Sequence, residues 1–214
     1  MEAVPRVWAV IVAAGWGERF GGPKQFAELG GVRLVDHAVD TAAAACDAVV
    51  LVVPDATEWQ GADVEALVTG GKTRAESVRA GLRAVPATAE IVVVHDAARP
   101  LATAELFAAV IAAVRDGADG AVPGLAVADT LKRVDDVRVT ATVDRVGLVA
   151  VQTPQAFAAD MLRAAHASGG EATDDAALVE ELGGTVVVVP GDPRNIKVTG
   201  PADLMIAAAL LETS

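Results

Sequence analysis

Short runs rich in valine alternate with longer runs rich in alanine along most of this 214-residue chain. Strands buried in a parallel sheet are continuous apolar runs, and the helices between them cover its faces. The alternation therefore predicts an α/β fold with a mainly parallel, twisted sheet and helices on both faces. The predicted strands cover residues 7–13, 48–53, 91–94, 120–125 and 185–189. The predicted helices cover 34–46, 73–85, 103–115, 158–167, 173–182 and 201–211, with N-caps at Thr103 and Thr173.

Residues 129–151 break this rhythm, because polar and apolar side chains alternate there around a turn at Asp135–Asp136. Period-two alternation predicts a β-hairpin, and the many charges argue against a central position in the sheet. We therefore expect an arm that projects from a single domain spanning residues 1–214. Two-stranded ribbons are marginal in water, so the arm is expected to pack against a second copy in a homodimer.

The composition limits the partners of the chain. With Lys+Arg 17 and Asp+Glu 29, the net charge is −12, which argues against nucleic acid and anionic membranes as partners. Cys46 is the single cysteine, so no intramolecular disulfide forms, and a reducing cytoplasm is the simplest location. The apolar run near the N-terminus is too short to span a bilayer and predicts a buried first strand.

A glycine-rich segment follows that first strand. Gly15 and Gly17 let the backbone approach a ligand closely, and exposed N–H groups at a strand-to-helix turn bind anions. Phe20 stands where a dinucleotide fingerprint needs its third glycine, and Arg19 and Lys24 add two cations that suit a triphosphate. The alternative is an ordinary glycine-rich turn with solvated charges.

A second glycine pair begins the sequence Gly70-Gly71-Lys72-Thr73. A Walker A loop would need a glycine at position 66, which is Ala66, so a P-loop is excluded. The loop still offers backbone amides, together with Arg74 and Ser77, to a base or ribose. A helix cap with surface charges is the alternative.

Asp96 follows the predicted strand 91–94, at the sheet edge where open α/β sheets bind ligands. A carboxylate facing phosphates is a natural Mg²⁺ ligand; the alternative is an ion pair with Arg99 that fixes the loop. His95 is expected to be structural. Lys197, near the C-terminus, is either a phosphate contact or a surface lysine.

Eight motifs occur in order between Ala13 and Leu204: AAGWGERFGGPKQF, GGKTRAESVRAGL, VVVHDAARP, DTLKR, TVDRVGL, QTPQAF, TDDAALVE and NIKVTGPADL. Together they resemble the 2-C-methyl-D-erythritol 4-phosphate cytidylyltransferase family of the non-mevalonate isoprenoid pathway. The resemblance implies a Rossmann-like nucleotidyltransferase fold and a cytoplasmic homodimer with interlocking arms. It also implies synthesis of CDP-methylerythritol and pyrophosphate from CTP and methylerythritol phosphate, with Mg²⁺.

The resemblance also assigns roles to residues of this sequence. Arg19 and Lys24 are the implied transition-state stabilisers, and Arg145 and Lys197 position the sugar phosphate. The implied CTP contacts are Ala13, Ala14, Gly15, Gly17, Gly70, Gly71, Arg74, Ser77, Asp96 and Ala97, with Asp96 as the metal ligand. The implied substrate contacts are Arg99, Thr130, Arg145, Thr153 and Lys197. Arg194 stands where the family frequently has an aspartate, with Asp192 as the nearest acid.

Three alternatives stay open on the sequence. The first is a cytidylyltransferase for another polyol phosphate, such as ribitol 5-phosphate. The second is a dinucleotide-dependent oxidoreductase, which Phe20 disfavours. The third is a non-catalytic nucleotide-binding module. An unchanged kcat after substitution of Lys24 by alanine would favour this third alternative.

Overall fold

The computed structural model describes residues 6–17, 20–167 and 169–213. Its helices are α1 (Leu34–Ala45), α2 (Arg74–Ala84), α3 (Ala104–Arg115), α4 (Ala159–Ala167), α5 (Asp175–Glu181) and α6 (Pro201–Leu211). Its strands are β1 (Val7–Val12), β2 (Glu28–Leu29), β3 (Val32–Arg33), β4 (Ala48–Val53), β5 (Ala66–Thr69), β6 (Ile91–Asp96), β7 (Gly120–Ala126), β8 (Leu131–Asp135), β9 (Arg138–Val143), β10 (Val149–Val151), β11 (Gln155–Ala158) and β12 (Val186–Pro190). A 3₁₀ turn covers Lys24–Phe26.

The main sheet has the strand order β7-β11-β6-β1-β4-β5, and β7 also pairs with β12 and β10. The pairs β1 with β4, β1 with β6, β4 with β5, and β12 with β7 are parallel. β11 runs antiparallel to both β6 and β7. The five predicted strands and the mainly parallel sheet are therefore confirmed, while β5 and β11 were not predicted. Each is only four residues long, which is too short for a periodic signal.

Alternate side chains of the central strands pack on opposite faces of the sheet. Ala9 and Ile11 of β1 lie in one buried cluster with α1 and α3. Trp8 and Val10 lie in the other cluster, with α2, α4 and α5. This period-two division places helices on both faces, as predicted.

The two predicted N-caps have different outcomes. Thr103 caps α3, since its side chain accepts a hydrogen bond from the backbone N–H of Leu106. The prediction of Thr173 is wrong, because Asp174 caps α5 by accepting from the N–H of Ala177. A carboxylate is at least as good a cap as a threonine hydroxyl, and it adds a favourable charge at the helix N-terminus.

The predicted arm is a separate two-stranded sheet of β8 and β9. Its turn contains Asp136 and Val137, one residue later than predicted, and Asp136 adopts a positive φ of 50°. Strand β10 pairs with β7, so residues 149–151 belong to the main sheet and the projecting part ends before them. The arm leaves several large apolar side chains exposed, namely Val134, Val137, Val139 and Val146.

No helix within the described residues combines the length and apolarity that crossing a bilayer requires.

Candidate active site

The carboxyl ends of β1 and β6 lie at the point where the sheet order reverses. From β1 the chain continues outward through β4 and β5, and then returns through α2 to β6 on the other side of β1. Such a switch point opens a crevice beyond the strand ends. It holds a cavity of about 200 Å³, called here the first cavity. The predicted site residues that line it are Ala13, Ala14, Gly15, Lys24, Gly71, Arg74, Ser77, Asp96, Ala97 and Lys197.

The loop between β5 and α2 packs tightly against the loop that follows β1. A Cβ atom on Gly70 would lie 2.3 Å from the Cβ of Ala14, so only glycine fits there. The hydroxyl of buried Ser77 accepts from the N–H of Gly71 at 3.2 Å and donates to the carbonyl of Thr73 at 3.0 Å. Ser77 therefore orders the loop, and Gly70 lines an adjoining cavity together with Ala14 and Gly71.

Asp96 ends β6 and contacts two cations that also line the first cavity. Its Oδ1 accepts from Nε of Arg74 at 3.0 Å, and its Oδ2 accepts from Nζ of Lys197 at 2.7 Å. Burial opposes ionisation of Asp96, but the charges and hydrogen bonds of Arg74 and Lys197 outweigh it and hold its pKa below the usual range. Asp96 is thus a carboxylate at any physiological pH.

Arg74 connects this carboxylate to a second one in the protein interior. Its Nη1 donates to Oδ2 of Asp175 at 2.8 Å, and Oδ1 of Asp175 lies 2.9 Å from Nε2 of His166. The side chains of Asp175 and His166 are 1% and 3% exposed. Burial alone would lower the pKa of Arg74, but Asp96 and Asp175 together raise it. Arg74 is therefore a permanent cation whose orientation is fixed from both sides.

The side chains of His95 and Thr153 form hydrogen bonds that fix the C-terminal end of β6. The Thr153 hydroxyl accepts from the backbone N–H of Asp96 at 3.1 Å and lies 3.1 Å from Nδ1 of His95. Nε2 of His95 lies 3.2 Å from the carbonyl of Arg99. Burial lowers the pKa of His95 to about 4, so the ring is neutral and can accept from Thr153 while donating to Arg99. This arrangement supports the predicted structural role of His95.

A second cavity of about 250 Å³ adjoins the first and shares Arg74, Asp96 and Lys197 with it. Arg99 and Thr153, both predicted as substrate contacts, also line it. Arg99 donates from Nη1 to the carbonyl of Asn195 at 2.7 Å, and its buried Nε has no hydrogen-bond partner in the described part of the chain.

Several residues of the two cavities were not predicted from the sequence. The feature of the sequence that could have identified them is their position beside predicted site residues, inside the motifs PKQ, GGKTR, QTPQ and TDDA. They are Gln25, Lys72 and Thr73 in the first cavity, and Gln152, Gln155, Thr173 and Asp174 in the second.

Thr130 and Arg145 lie in the exposed arm region and line neither cavity. The guanidinium of Arg145 instead contacts the carbonyls of Val127 and Ala128. Gly17 does not line the cavities either; its φ of +64° and its carbonyl, which accepts from the N–H of Gly21, shape the glycine loop. Arg19 lies outside the described residues.

The acidic side chains that the structure describes do not by themselves form a metal cage. Among the described residues, no group of three or more His, Cys, Asp or Glu side chains is placed to hold an ion. Asp192 lines neither cavity, and its Oδ1 accepts from the backbone N–H of Arg194 at 2.8 Å. Within residues 6–17, 20–167 and 169–213, Asp96 is therefore the one carboxylate that both cavities share.

Comparison with known proteins gives one consistent result. The family model described as IspD, 2-C-methyl-D-erythritol 4-phosphate cytidylyltransferase, matches residues 7–213. The 2-C-methyl-D-erythritol 4-phosphate cytidylyltransferase of Nocardia farcinica is 46% identical, over 96% of this chain and 94% of its own. That of Rhodococcus opacus is 47% identical, over 96% and 95% of the two chains. The crystal structure of the Thermus thermophilus enzyme has a TM-score of 0.83 and 35% identity, and covers 95% of this chain and 98% of that one. The chain therefore belongs to the 2-C-methyl-D-erythritol 4-phosphate cytidylyltransferase family of nucleotidyltransferases.

Proposed function

We propose that the two adjoining cavities bind CTP and 2-C-methyl-D-erythritol 4-phosphate, and that the cytidylyl group passes between them beside Asp96. The observation that carries this proposal is the sharing of Arg74, Asp96 and Lys197 by both cavities. Two anionic substrates repel each other, and the two cations in this common wall lower that repulsion. The products are CDP-methylerythritol and pyrophosphate.

The reaction requires no general base. A phosphate monoester has a second pKa of about 6, so it is mostly a dianion at neutral pH. One of its oxygens attacks the α-phosphorus of CTP, forming a P–O bond, and the bond from that phosphorus to the pyrophosphate oxygen breaks. The barrier is charge repulsion, which cations lower by stabilising the phosphoryl oxygens. Lys24 and Lys197 are the described cations proposed for this role, with Arg19 of the same glycine loop.

The first cavity has the chemistry of a nucleotide site. The loops that follow β1 and β5 provide main-chain groups for the base and ribose, at Ala14, Gly15 and Gly71. Ser77 already orders the loop between β5 and α2 through its two hydrogen bonds. This loop therefore loses little conformational entropy when the nucleotide binds.

A magnesium ion fits this site if the substrate completes its shell. Magnesium is usually held by one or two carboxylates together with substrate phosphates and water. Each carboxylate oxygen of Asp96 accepts one hydrogen bond and keeps a further lone pair for a metal. We propose that Asp96 holds Mg²⁺ together with phosphate oxygens of CTP. When bound, the ion neutralises triphosphate charge.

A homodimer would bring the arm residues to a site. Thr130 and Arg145 line neither cavity of their own subunit, which supports a role at the cavity of a partner subunit. The exposed valines of the arm supply the apolar surface that such an interface needs. Light scattering after gel filtration tests this: Val134→Asp is expected to shift the protein toward monomer. The control Leu182→Asp changes a similarly exposed residue outside the arm and should leave the mass unchanged; equal effects would contradict the proposal.

A cytoplasmic location without nucleic-acid or membrane partners completes the proposal. It is supported by the single Cys46, which cannot form an intramolecular disulfide, and by the net charge of −12.

The decisive experiment measures pyrophosphate release with Mg²⁺ and CTP across a panel of polyol phosphates. We expect turnover with methylerythritol phosphate and much less with ribitol 5-phosphate; the reverse order would refute the proposed substrate. Lys197→Met is expected to lower kcat/KM at least about 100-fold, a typical loss for a transition-state contact. Arg115→Met is the control, because Arg115 is an exposed cation at the C-terminal end of α3 and lines neither cavity.

A further inference from the structure

Trp16 presents a large apolar side chain to solvent at the wall of the first cavity. The other two tryptophans have partners in the protein: Trp8 is buried in the core, and the ring of Trp59 lies 4.9 Å from Cζ of Arg33. Trp16 is 76% exposed and lies in the loop that follows β1. Tryptophan gains more than most residues from covering a partner molecule, so an exposed indole in a cavity wall is a candidate ligand contact.

The first cavity is smaller than a nucleoside triphosphate needs. Its volume is about 200 Å³, whereas small-molecule sites usually measure about 300–1,000 Å³. The adjoining cavity that Gly70 lines, called here the third cavity, adds about 380 Å³. Ala14, Trp16, Gly71 and Lys72 line both cavities. A nucleotide in the first cavity can therefore extend past Trp16 into the third.

The charges of these two cavities favour different parts of a nucleotide. Cations outnumber carboxylates by four to one in the wall of the first cavity, which comprises Lys24, Lys72, Arg74, Lys197 and Asp96. The third cavity shares Lys72 but has two carboxylates, Asp55 and Glu76. Carboxylates repel phosphate groups and accept hydrogen bonds from amino groups. The triphosphate therefore suits the first cavity, and a neutral base with an amino group suits the third.

The backbone next to Trp16 is already fixed without a ligand. The carbonyl of Gly17 accepts from the N–H groups of Phe20 at 2.8 Å and Gly21 at 3.0 Å. A Cβ atom on Gly17 would overlap the carbonyl oxygen of Gly22, so only glycine allows the loop to fold this closely. On the other side of Trp16, a Cβ atom on Gly15 would meet nothing within 4 Å. Trp16 thus stands on an ordered turn beside open space, which lowers the entropy lost on binding.

We propose that Trp16 is a nucleotide-binding residue whose indole stacks on the cytosine base of CTP, where the nucleotide passes from the first cavity into the third. This inference rests on the proposed function, in which the first cavity binds CTP. Stacking uses the π face that every base has, so Trp16 contributes affinity for the nucleotide and does not select the base. It acts on binding and leaves the transfer of the cytidylyl group to the cations around Asp96.

The first test measures steady-state kinetics with CTP, methylerythritol phosphate and Mg²⁺. Trp16→Ala is expected to raise the KM for CTP at least about tenfold, within the range found when an aromatic that stacks on a base is removed. The kcat and the KM for methylerythritol phosphate should stay unchanged, because the lost contact is the same in the ground state and the transition state. Trp16→Phe keeps an aromatic face and should restore most of the affinity for CTP.

Met205→Ala is the matched control. Met205 is 75% exposed, lies on α6 and lines none of the three cavities. Its replacement removes an apolar side chain of similar exposure and should leave the KM for CTP unchanged. A rise equal to that of Trp16→Ala would contradict a specific contact.

Tryptophan fluorescence tests the contact without turnover. Titration of the wild-type protein with CTP should change its emission, because a ligand covers the exposed indole of Trp16. Trp16→Phe should abolish most of this change, since Trp8 and Trp59 line none of the three cavities. A full emission change in Trp16→Phe would overturn the inference.

The outcomes separate the two proposals. If the wild-type enzyme transfers the cytidylyl group but Trp16→Ala keeps the wild-type KM for CTP, the Trp16 inference is wrong and the proposed function stands. A Trp16→Phe protein as weak for CTP as Trp16→Ala would also contradict stacking. If the wild-type enzyme neither releases pyrophosphate nor binds CTP by calorimetry, the proposed function fails, and the inference fails with it.

Discussion

Asp175→Asn tests whether the buried charge pairs that lead to the active site stabilise the protein. The substitution keeps the side-chain shape but removes the charge from a carboxylate that is 1% exposed. Arg74 and His166 both contact this carboxylate, at 2.8 and 2.9 Å. An asparagine has one acceptor oxygen, and its NH₂ group would face one of these two partners.

Removing one partner of a buried ion pair typically costs about 3–5 kcal/mol, because the other charge stays buried without compensation. Arg74 keeps Asp96 as a second partner, so we expect the lower end, about 3 kcal/mol. For a chain of this size, 1 kcal/mol corresponds to about 2–4 °C, and the melting temperature should therefore fall by about 6–12 °C.

Thermal unfolding followed by circular dichroism measures this shift. Asp160→Asn is the control, since the carboxylate of Asp160 is fully exposed and lies 3.7 Å from its partner Arg163. We expect no measurable shift for the control, because exposed ion pairs contribute little. If Asp175→Asn melted within about 2 °C of the wild type, about the effect of a single kcal/mol, the buried network would not be a stabilising feature.

Three other features of the structure are open to direct measurement. The free energy of unfolding should fall by up to about 3 kcal/mol as the pH drops from 6.5 to about 4, because only the unfolded chain then protonates His95. Urea titrations at several pH values measure this fall, and the free energy of His95→Gln should depend less steeply on pH. Equal slopes for the variant and the wild type would contradict the prediction. Burial raises the pKa of Cys46 to about 12, so little reactive thiolate forms in the folded protein. A thiol reagent at about pH 8 should therefore label the folded protein far more slowly than the unfolded protein. Equal labelling rates would contradict this prediction. Gly70→Ala should raise the KM for CTP at least about tenfold, because the added Cβ atom displaces the loop from Ala14. Gly22→Ala is the control and should leave this KM unchanged, since a Cβ atom there meets nothing within 4 Å. Equal KM values for the two variants would contradict the packing argument.

Much of the fold was predictable because its strands and helices carry strong local patterns. Continuous valine runs located β1, β4 and β6, and alternation of polar and apolar residues located the arm. Strand β11 was missed because its four residues, QAFA, have no period of their own; their pairing with β6 and β7 makes them a strand. The return of β10 to the sheet was missed for the same reason, since pairing with β7 decides it.

The sequence by itself determined which chemical groups stand at the strand ends: a glycine loop, a second glycine pair, Asp96, Arg99 and Lys197. These signals are local, since they depend on residues adjacent along the chain. Only the tertiary structure showed that Asp96 lies against Lys197, 101 residues away, and that Arg74 is held by Asp175, also 101 residues away. It likewise showed that Oε1 of Gln155 is buried without a hydrogen-bond partner among the described residues. Ion pairs, burial and unmet hydrogen bonds depend on distances through space, which a one-dimensional pattern does not contain.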